Sequence, residues 1–142
     1  MIPYPTVVID TNILISALLS SGNCSKILDM LVNDEYIHIT SKNILNEVDL
    51  VGKRDKFRKY FSIQTFELFL SILNETSTIV EPAPVIPSQY QSLDSSDNIF
   101  VATIFHYRPD FFITGNTKHF MQINELTHII SPDKFITLQS EK

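Results

Sequence analysis

The stretch TVVIDTNILISALL, residues 6–19, decides the fold because one aspartate joins a β-branched segment to an apolar one. Residues 6–9 are typical of a strand buried on both faces, as in a parallel sheet. The residues from Asn12 to Ser20 then predict a helix. Asp10 lies where the strand ends. Helix capping alone does not explain this carboxylate, because Thr11 would have been a sufficient cap.

The alternation of strand and helix continues along the chain. Strands are predicted at residues 36–40, 77–80, 111–114 and 128–130, and helices at residues 25–33, 42–51, 64–75, 97–107 and about 119–123. Ser41 and Ser131 are expected to cap helices, the second with Pro132 at the first helical position. Residues 81–97 carry three prolines and predict an irregular crossing. The pattern indicates one α/β domain over residues 1–142, with a mostly parallel sheet and a ligand site at the carboxyl ends of its strands.

The composition indicates a globular, cytoplasmic protein. The 142 residues are 44% hydrophobic, and no apolar run reaches the roughly 18 residues of a membrane span. The N-terminal residues have no basic stretch before their apolar run, unlike a signal peptide. Cys24 is the sole cysteine, which excludes an internal disulfide and a thiolate metal site. The net charge of −5 argues against nucleic-acid binding through bulk charge, but it is compatible with an acidic site neutralised by metal.

Several oxygen-bearing side chains are predicted at the carboxyl edge of the sheet. They are Asp10 and Asn116, which follow strands, Glu47, which lies beside the apolar stripe of a helix, and Asp94 and Asp97, which precede another helix. Such oxygens are hard ligands that suit Mg²⁺ or Mn²⁺. An ion held by them can deprotonate a water and stabilise the charge that develops in phosphodiester hydrolysis. The structural alternatives are an N-cap role for Asp97 and a solvated helix flank for Glu47.

Four segments together resemble the acidic motifs of the PIN-domain family. They are VVIDTNILISAL at residues 7–18, ILNEV at residues 44–48, DSSDNIFVA at residues 94–102 and ITGNTKHF at residues 113–120. The subgroup most resembled is the bacterial PIN proteins described as toxins of toxin–antitoxin systems, akin to VapC-type toxins. The resemblance implies a three-layer α/β/α fold with a parallel sheet of four or five strands. It also implies a Mg²⁺- or Mn²⁺-dependent endoribonuclease that acts on single-stranded or exposed RNA.

By position, the resemblance assigns Asp10, Glu47 and Asp97 as catalytic residues and metal ligands. In the expected mechanism, the metal lowers the pKa of a bound water, which attacks the scissile phosphate in line. No covalent intermediate is expected, because no Ser or Cys nucleophile with a neighbouring base is visible in the sequence.

Four polar residues complete the site that the resemblance implies. Asp94 is a candidate for a second metal or a supporting role, and Asn116 stands where many members carry a fourth aspartate. An amide binds a divalent cation more weakly than a carboxylate, so Asn116 argues against tight binding of a second ion. Asn12 and Thr114 resemble the residues that orient the site through hydrogen bonds.

A basic segment with interleaved aromatic residues follows the helix that carries Glu47. Its basic residues are Lys53, Arg54, Lys56, Arg58 and Lys59. They predict either an RNA-binding patch or a solvated segment whose aromatic residues enter the core. His119 lies three positions after Asn116 and is a candidate for contact with RNA or a metal-bound water, with a structural role as the alternative.

The helix over residues 64–75 is apolar on more than one side, which predicts a core face and a face for a protein partner. Either an antitoxin or a second copy of the chain fits that face, and we expect a homo-oligomer. Two other functions remain open: a non-catalytic RNA- or protein-binding module on the same fold, and a structure-specific DNA nuclease. The non-catalytic module is favoured if the site, with Asn116 in place of a carboxylate, cannot hold metal. The short chain argues against the DNA nuclease, because it has no added arch to thread a DNA flap.

Overall fold

The computed structural model describes residues 4–19 and 21–141. Within that part of the chain, five strands form one sheet in the order β3-β2-β1-β4-β5, and all neighbouring strands are parallel. The strands are β1 (Thr6–Ile9), β2 (Ile37–Thr40), β3 (Ser77–Ile79), β4 (Phe111–Ile113) and β5 (His128–Ile130). The helices are α1 (Thr11–Ser16), α2 (Asn23–Val32), α3 (Lys42–Gly52), α4 (Ile63–Thr76), α5 (Asn98–Tyr107) and α6 (Pro132–Ser140). The predicted three-layer α/β/α class is confirmed, with a fully parallel sheet.

The central strand β1 determines where the carboxyl ends of the strands meet. From β1 the chain builds β2 and β3 on one side of the sheet and β4 and β5 on the other. Ile9 pairs with Ile113, and the Asp10 amide donates to the Ile113 carbonyl at 2.9 Å. The strand order therefore reverses beside β1, and such a reversal opens a crevice outside the carboxyl ends of parallel strands.

The core covers both faces of the sheet. Val7 and Val8 lie side by side in β1 and are both fully buried, which agrees with the fully apolar pattern of that strand. On the helical layers, α1 packs against α2 and α3, and α2 packs against α6. The contact between α1 and α3 matters for the site, because these two helices carry residues that line the crevice. Among residues 4–19 and 21–141, no helix has the length and apolarity to cross a membrane.

Helix α1 is shorter than the sequence predicts. It ends at Ser16, and the amides of Leu18 and Leu19 bond to carbonyls three residues back, as in a tightening final turn. Ser20, the predicted end of this helix, lies outside the described residues. The serines and glycine that follow have weak helix propensity, so the apolar run alone does not extend the helix.

The other boundaries follow the predictions closely. Ser41 caps α3, because its hydroxyl accepts the Ile44 amide at 3.3 Å. Ser131 precedes α6 with Pro132 in the first turn, as predicted, although its hydroxyl makes no capping bond. The predicted irregular crossing contains two short 3₁₀ turns, and the helix predicted near residue 119 is a 3₁₀ segment, Thr117–Ile123.

Candidate active site

Asp10 is held between helix α1 and strand β4. Its Oδ1 accepts the Asn12 amide at 3.4 Å, so Asp10 is the N-cap of α1 and Thr11 is the first residue of the helix, which corrects the expectation that Thr11 would be a sufficient cap. Its Oδ2 accepts the hydroxyl of Thr114 at 2.7 Å. Thr114 is fully buried, and its hydroxyl in turn accepts the amide of Asn116 at 3.1 Å. A short hydrogen-bonded chain from the end of β4 therefore fixes the orientation of the Asp10 carboxylate.

Glu47 lies on the half-buried flank of α3 and reaches towards α1. Its Oε2 accepts the hydroxyl of Thr11 at 2.6 Å, and Thr11 itself is buried. This contact is the reason that Glu47 is not simply a solvated residue. Sequence reasoning did not include Thr11 among the site residues. The available signal was a polar residue beside Asp10 at a position where an apolar helix begins.

The 3₁₀ turn Ser95–Asp97 precedes α5, with Asp94 as its N-cap and Asp97 as its last residue, and these two carboxylates make different contacts. Asp97 makes no side-chain capping bond to α5, and its Oδ2 accepts the Ser92 hydroxyl at 3.3 Å. Asp94 is exposed and caps its own turn, because its Oδ1 accepts both the amide and the hydroxyl of Ser96, at 3.0 and 2.7 Å. The Asp97 carboxylate is therefore not used to cap α5, whereas the Asp94 carboxylate is bonded within its own turn. Ser92 was also not predicted as a site residue, because serines are common in such turns.

These residues meet in a cleft of about 340 Å³ beyond the end of β1. The predicted site residues that line it are Asp10, Asn12, Glu47, Arg54, Asp94, Asp97, Asn116 and His119. Thr114 does not line the cleft and supports Asp10 from behind. Apolar walls come from Val51, Phe100 and Phe120. The structure therefore brings the predicted acidic set to one place.

The basic segment is dispersed rather than gathered at the cleft. Four of its five basic residues make contacts elsewhere. Lys53 pairs with Asp49 at 2.9 Å. Arg58 donates to the Gly52 carbonyl and lies over the Phe61 ring. Lys56 lies over the Phe57 ring, and Lys59 lies over the Tyr60 ring. Arg54 alone of the five lines the cleft. Most of this segment therefore contributes local packing in the structure.

Burial and neighbouring negative charges raise the pKa values of two carboxyl groups in the cleft, Asp10 and Asp97. Burial raises the pKa of Asp10, and the negative charges of Asp97 and Glu47 raise it further, against the hydrogen bonds from Thr114 and Asn12. Burial also raises the pKa of Asp97, together with the charge of Asp94. The Asp94 pKa is lowered, chiefly by its bond to the Ser96 hydroxyl. The cleft thus concentrates negative charge that a cation would neutralise.

The donor set fits a hard divalent cation. Asp10, Glu47 and Asp97 offer only oxygen atoms, and each accepts a hydroxyl that limits its rotation. Within residues 4–19 and 21–141, no three His, Cys, Asp or Glu side chains lie close enough to hold an ion as they stand. Binding of one ion by all three carboxylates therefore requires these side chains to draw together from their present positions.

Comparison with known proteins agrees with this geometry. A model described as the PIN domain matches residues 6–118. The chain is also similar to the uncharacterized protein MJ1680 of Methanocaldococcus jannaschii, with 29% identity over 141 residues, covering 92% of this chain and 88% of that protein. The matched region runs from the first residue of β1 into the 3₁₀ segment after β4, and it includes every carboxylate that lines the cleft.

Proposed function

The chain belongs to the PIN-domain family, and from that premise we propose that it is a Mg²⁺- or Mn²⁺-dependent endoribonuclease. PIN domains are nuclease-type folds that are commonly metal-dependent ribonucleases. The observation that carries the proposal is the convergence of Asp10, Glu47 and Asp97 on one cleft at the carboxyl end of β1. Apart from the four carboxylates, the described polar residues of the cleft are the amides Asn12 and Asn116, one arginine, one histidine, and the hydroxyls of Thr11 and Ser96, which donate to Glu47 and Asp94.

In this proposal, Asp10, Glu47 and Asp97 hold one ion. When bound, Mg²⁺ or Mn²⁺ supplies an acidified water and a positive charge for hydrolysis of the phosphodiester. The residues around the carboxylates prepare them for this role. Thr114 and Thr11 donate to Oδ2 of Asp10 and to Oε2 of Glu47, and these bonds orient the two carboxylates. The other oxygen of Asp10, Oδ1, accepts only the long bond from the Asn12 amide, at 3.4 Å.

Asn116 favours a site with a single tightly bound ion. It lines the cleft, but its amide has no negative charge and binds a divalent cation more weakly than a carboxylate does. Asp94, the other candidate for a second ion, is exposed and bonded to Ser96. We therefore assign these two residues supporting roles and expect one ion to be sufficient for cleavage.

The test is cleavage of a labelled single-stranded RNA with Mn²⁺ or Mg²⁺, set against EDTA. Wild type is compared with Asp10→Asn and with Asp133→Asn, a matched control in the first turn of α6 outside the cleft. We expect metal-dependent cleavage by wild type and the control, and none by Asp10→Asn. Equal cleavage by Asp10→Asn and wild type would reveal a contaminating ribonuclease and remove Asp10 from the site. RNA binding without cleavage would support the non-catalytic module, and cleavage of branched DNA alone would support the DNA nuclease.

We also propose that the protein is the toxin of a toxin–antitoxin pair, acting in the cytoplasm as a homo-oligomer. The likeness of its acidic motifs to the VapC-type subgroup supports this role. Induced expression of wild type should arrest bacterial growth, whereas Asp10→Asn should not, and light scattering of the purified protein should give more than one chain per particle. Normal growth with active enzyme present would reject the toxin role.

A further inference from the structure

A second cavity, of about 420 Å³, opens beside the acidic cleft and is called the side cavity below. It shares Asp94, Asp97 and His119 with the cleft as common walls. Its remaining lining residues are Gln91, Ser92, Leu93, Lys118 and Gln122. The two spaces are therefore adjacent at these three residues, and they are called together the groove.

The groove has an exposed cation on each side of its shared walls. Arg54 lines the acidic cleft but not the side cavity, and Lys118 lines the side cavity but not the cleft. Within residues 4–19 and 21–141, neither side chain forms an ion pair, whereas Lys53 next to Arg54 pairs with Asp49. Two unpaired cations, one in the acidic cleft and one in the adjacent side cavity, suit a ligand with successive phosphates.

The side cavity also offers surface that suits a base. The Leu93 side chain at its wall is fully exposed, although an aliphatic residue gains nothing from contact with water. The Gln122 Nε2 is buried without a hydrogen-bond partner. Gln91 donates to the Ile86 carbonyl at 3.0 Å, which leaves its amide oxygen as an acceptor. An apolar contact beside amide donors and acceptors is the combination that binds an unstacked base by its face and its edge.

We propose that the side cavity binds the nucleotide adjacent to the scissile phosphate of a single-stranded RNA. Leu93 contacts the base, Lys118 contacts the phosphate of that nucleotide, and Arg54 contacts a phosphate on the other side of the cut. This inference rests on the proposed nuclease function and makes its substrate specific. A base enters the side cavity only when it is unstacked, so single strands bind in preference to duplexes, and internal bonds are cut because the strand continues on both sides of the carboxylates.

The test measures binding of a labelled single-stranded RNA by fluorescence anisotropy at several salt concentrations. Asp10→Asn is the background, because it removes cleavage and keeps the rest of the groove. Lys118→Gln and Arg54→Gln should each weaken binding and reduce the slope of log affinity against log salt by about 0.7, the value for one phosphate contact on a single strand. Their matched controls, Lys56→Gln and Lys53→Gln, lie outside both cavities and should leave the slope unchanged.

The apolar contact has a different signature. Leu93→Ser should weaken binding about fivefold without changing the salt slope, because no charge is removed. Leu50→Ser, at an exposed leucine of α3 outside both cavities, is the control and should bind like the background. The residues substituted in addition to Asp10 are all exposed, so loss of folding does not complicate the comparison with the Asp10→Asn background.

The groove proposal is overturned if Lys118→Gln and Leu93→Ser bind RNA as the background does, or if duplex RNA binds as tightly as the single strand. The nuclease proposal has a separate readout, since it fails on the absence of metal-dependent cleavage by wild type. Retained binding with the predicted salt slopes but no cleavage would therefore reject the catalytic function and keep the groove.

Discussion

His38 provides a quantitative test of the core of the sheet. It lies in the middle of β2, opposite Val7 of β1, and only 1% of its surface is exposed. Its Nδ1 shares a 2.6 Å hydrogen bond with the Ser77 hydroxyl of β3, and its Nε2 is buried without a partner. Burial lowers the pKa of His38 from 6.5 to about 4, because a charged imidazolium is poorly solvated there.

The lowered pKa makes stability depend on pH with a definite sign. Below about pH 6.5 the unfolded chain takes up a proton at His38 while the folded chain does not, so the free energy of unfolding falls as the pH falls. With a folded pKa of about 4, the loss relative to neutral pH is about 2 kcal/mol at about pH 5 and about 3 kcal/mol at about pH 4. At still lower pH both states are protonated, and the loss at this site is complete.

The assay is urea unfolding across this pH range for wild type and His38→Asn. Asparagine places an amide near the position of Nδ1, so the bond to Ser77 is retained while the titrating group is removed. Other titrating groups are common to both proteins and cancel in the difference. The stability of His38→Asn relative to wild type should therefore rise by about 3 kcal/mol between neutral pH and about pH 4. Parallel pH profiles would refute the reasoning, because they would mean that His38 titrates normally and is not enclosed between β1 and β3.

Three further predictions concern the site and its supports. Thr114→Val removes the hydroxyl that donates to Asp10 and lowers its pKa. Because a hydrogen bond to a charged group contributes about 1.5 to 3 kcal/mol, the cleavage rate should fall roughly tenfold to a hundredfold. A pH–rate profile should show the largest loss at low pH, and a loss independent of pH would contradict this. Gly52→Ala would place a methyl group on the buried ring of Phe66. Although alanine is the better helix former, urea unfolding should show that the free energy of unfolding falls by about 1 to 3 kcal/mol. Adding Phe66→Leu should restore part of this loss. Asp10→Asn removes a carboxylate whose pKa is raised by burial and by like charges. Without metal at neutral pH, the melting temperature of this variant should therefore exceed that of wild type. A lower melting temperature would show that the Asp10 charge does not destabilise the fold.

The sequence predicted the path of the chain well because the relevant signals are local. The β-branched residues of β1, the serine before α3 and the proline at the start of α6 each act within a few positions. The carboxyl ends of parallel strands lie at one edge, so the placement of Asp10 and Asn116 at the same edge followed from the strand assignment, whereas the pairing of β1 with β4 did not. Helix α1 was overextended because its apolar run continues past Ser16, where the backbone already tightens into a turn.

The supporting contacts of the site could not be predicted, because they join distant parts of the chain. The bond from Thr11 to Glu47 spans 36 positions and depends on how α1 packs against α3. Arg54 was likewise indistinguishable from the other basic residues of its segment, since each has a similar local sequence. Only the packing of the segment shows that its neighbour Lys53 pairs with Asp49 while Arg54 lines the cleft.

The central claim is that Asp10, Glu47 and Asp97 act together as one metal site, and titration with Mn²⁺ by calorimetry tests it most directly. Asp10→Asn, Glu47→Gln and Asp97→Asn are compared with wild type and with the control Asp133→Asn, which lies outside the cleft. We expect wild type and the control to bind one ion and each of the three cleft variants to lose it. Wild type that binds no ion, or cleft variants that bind as wild type does, would show that the three carboxylates do not form one metal site.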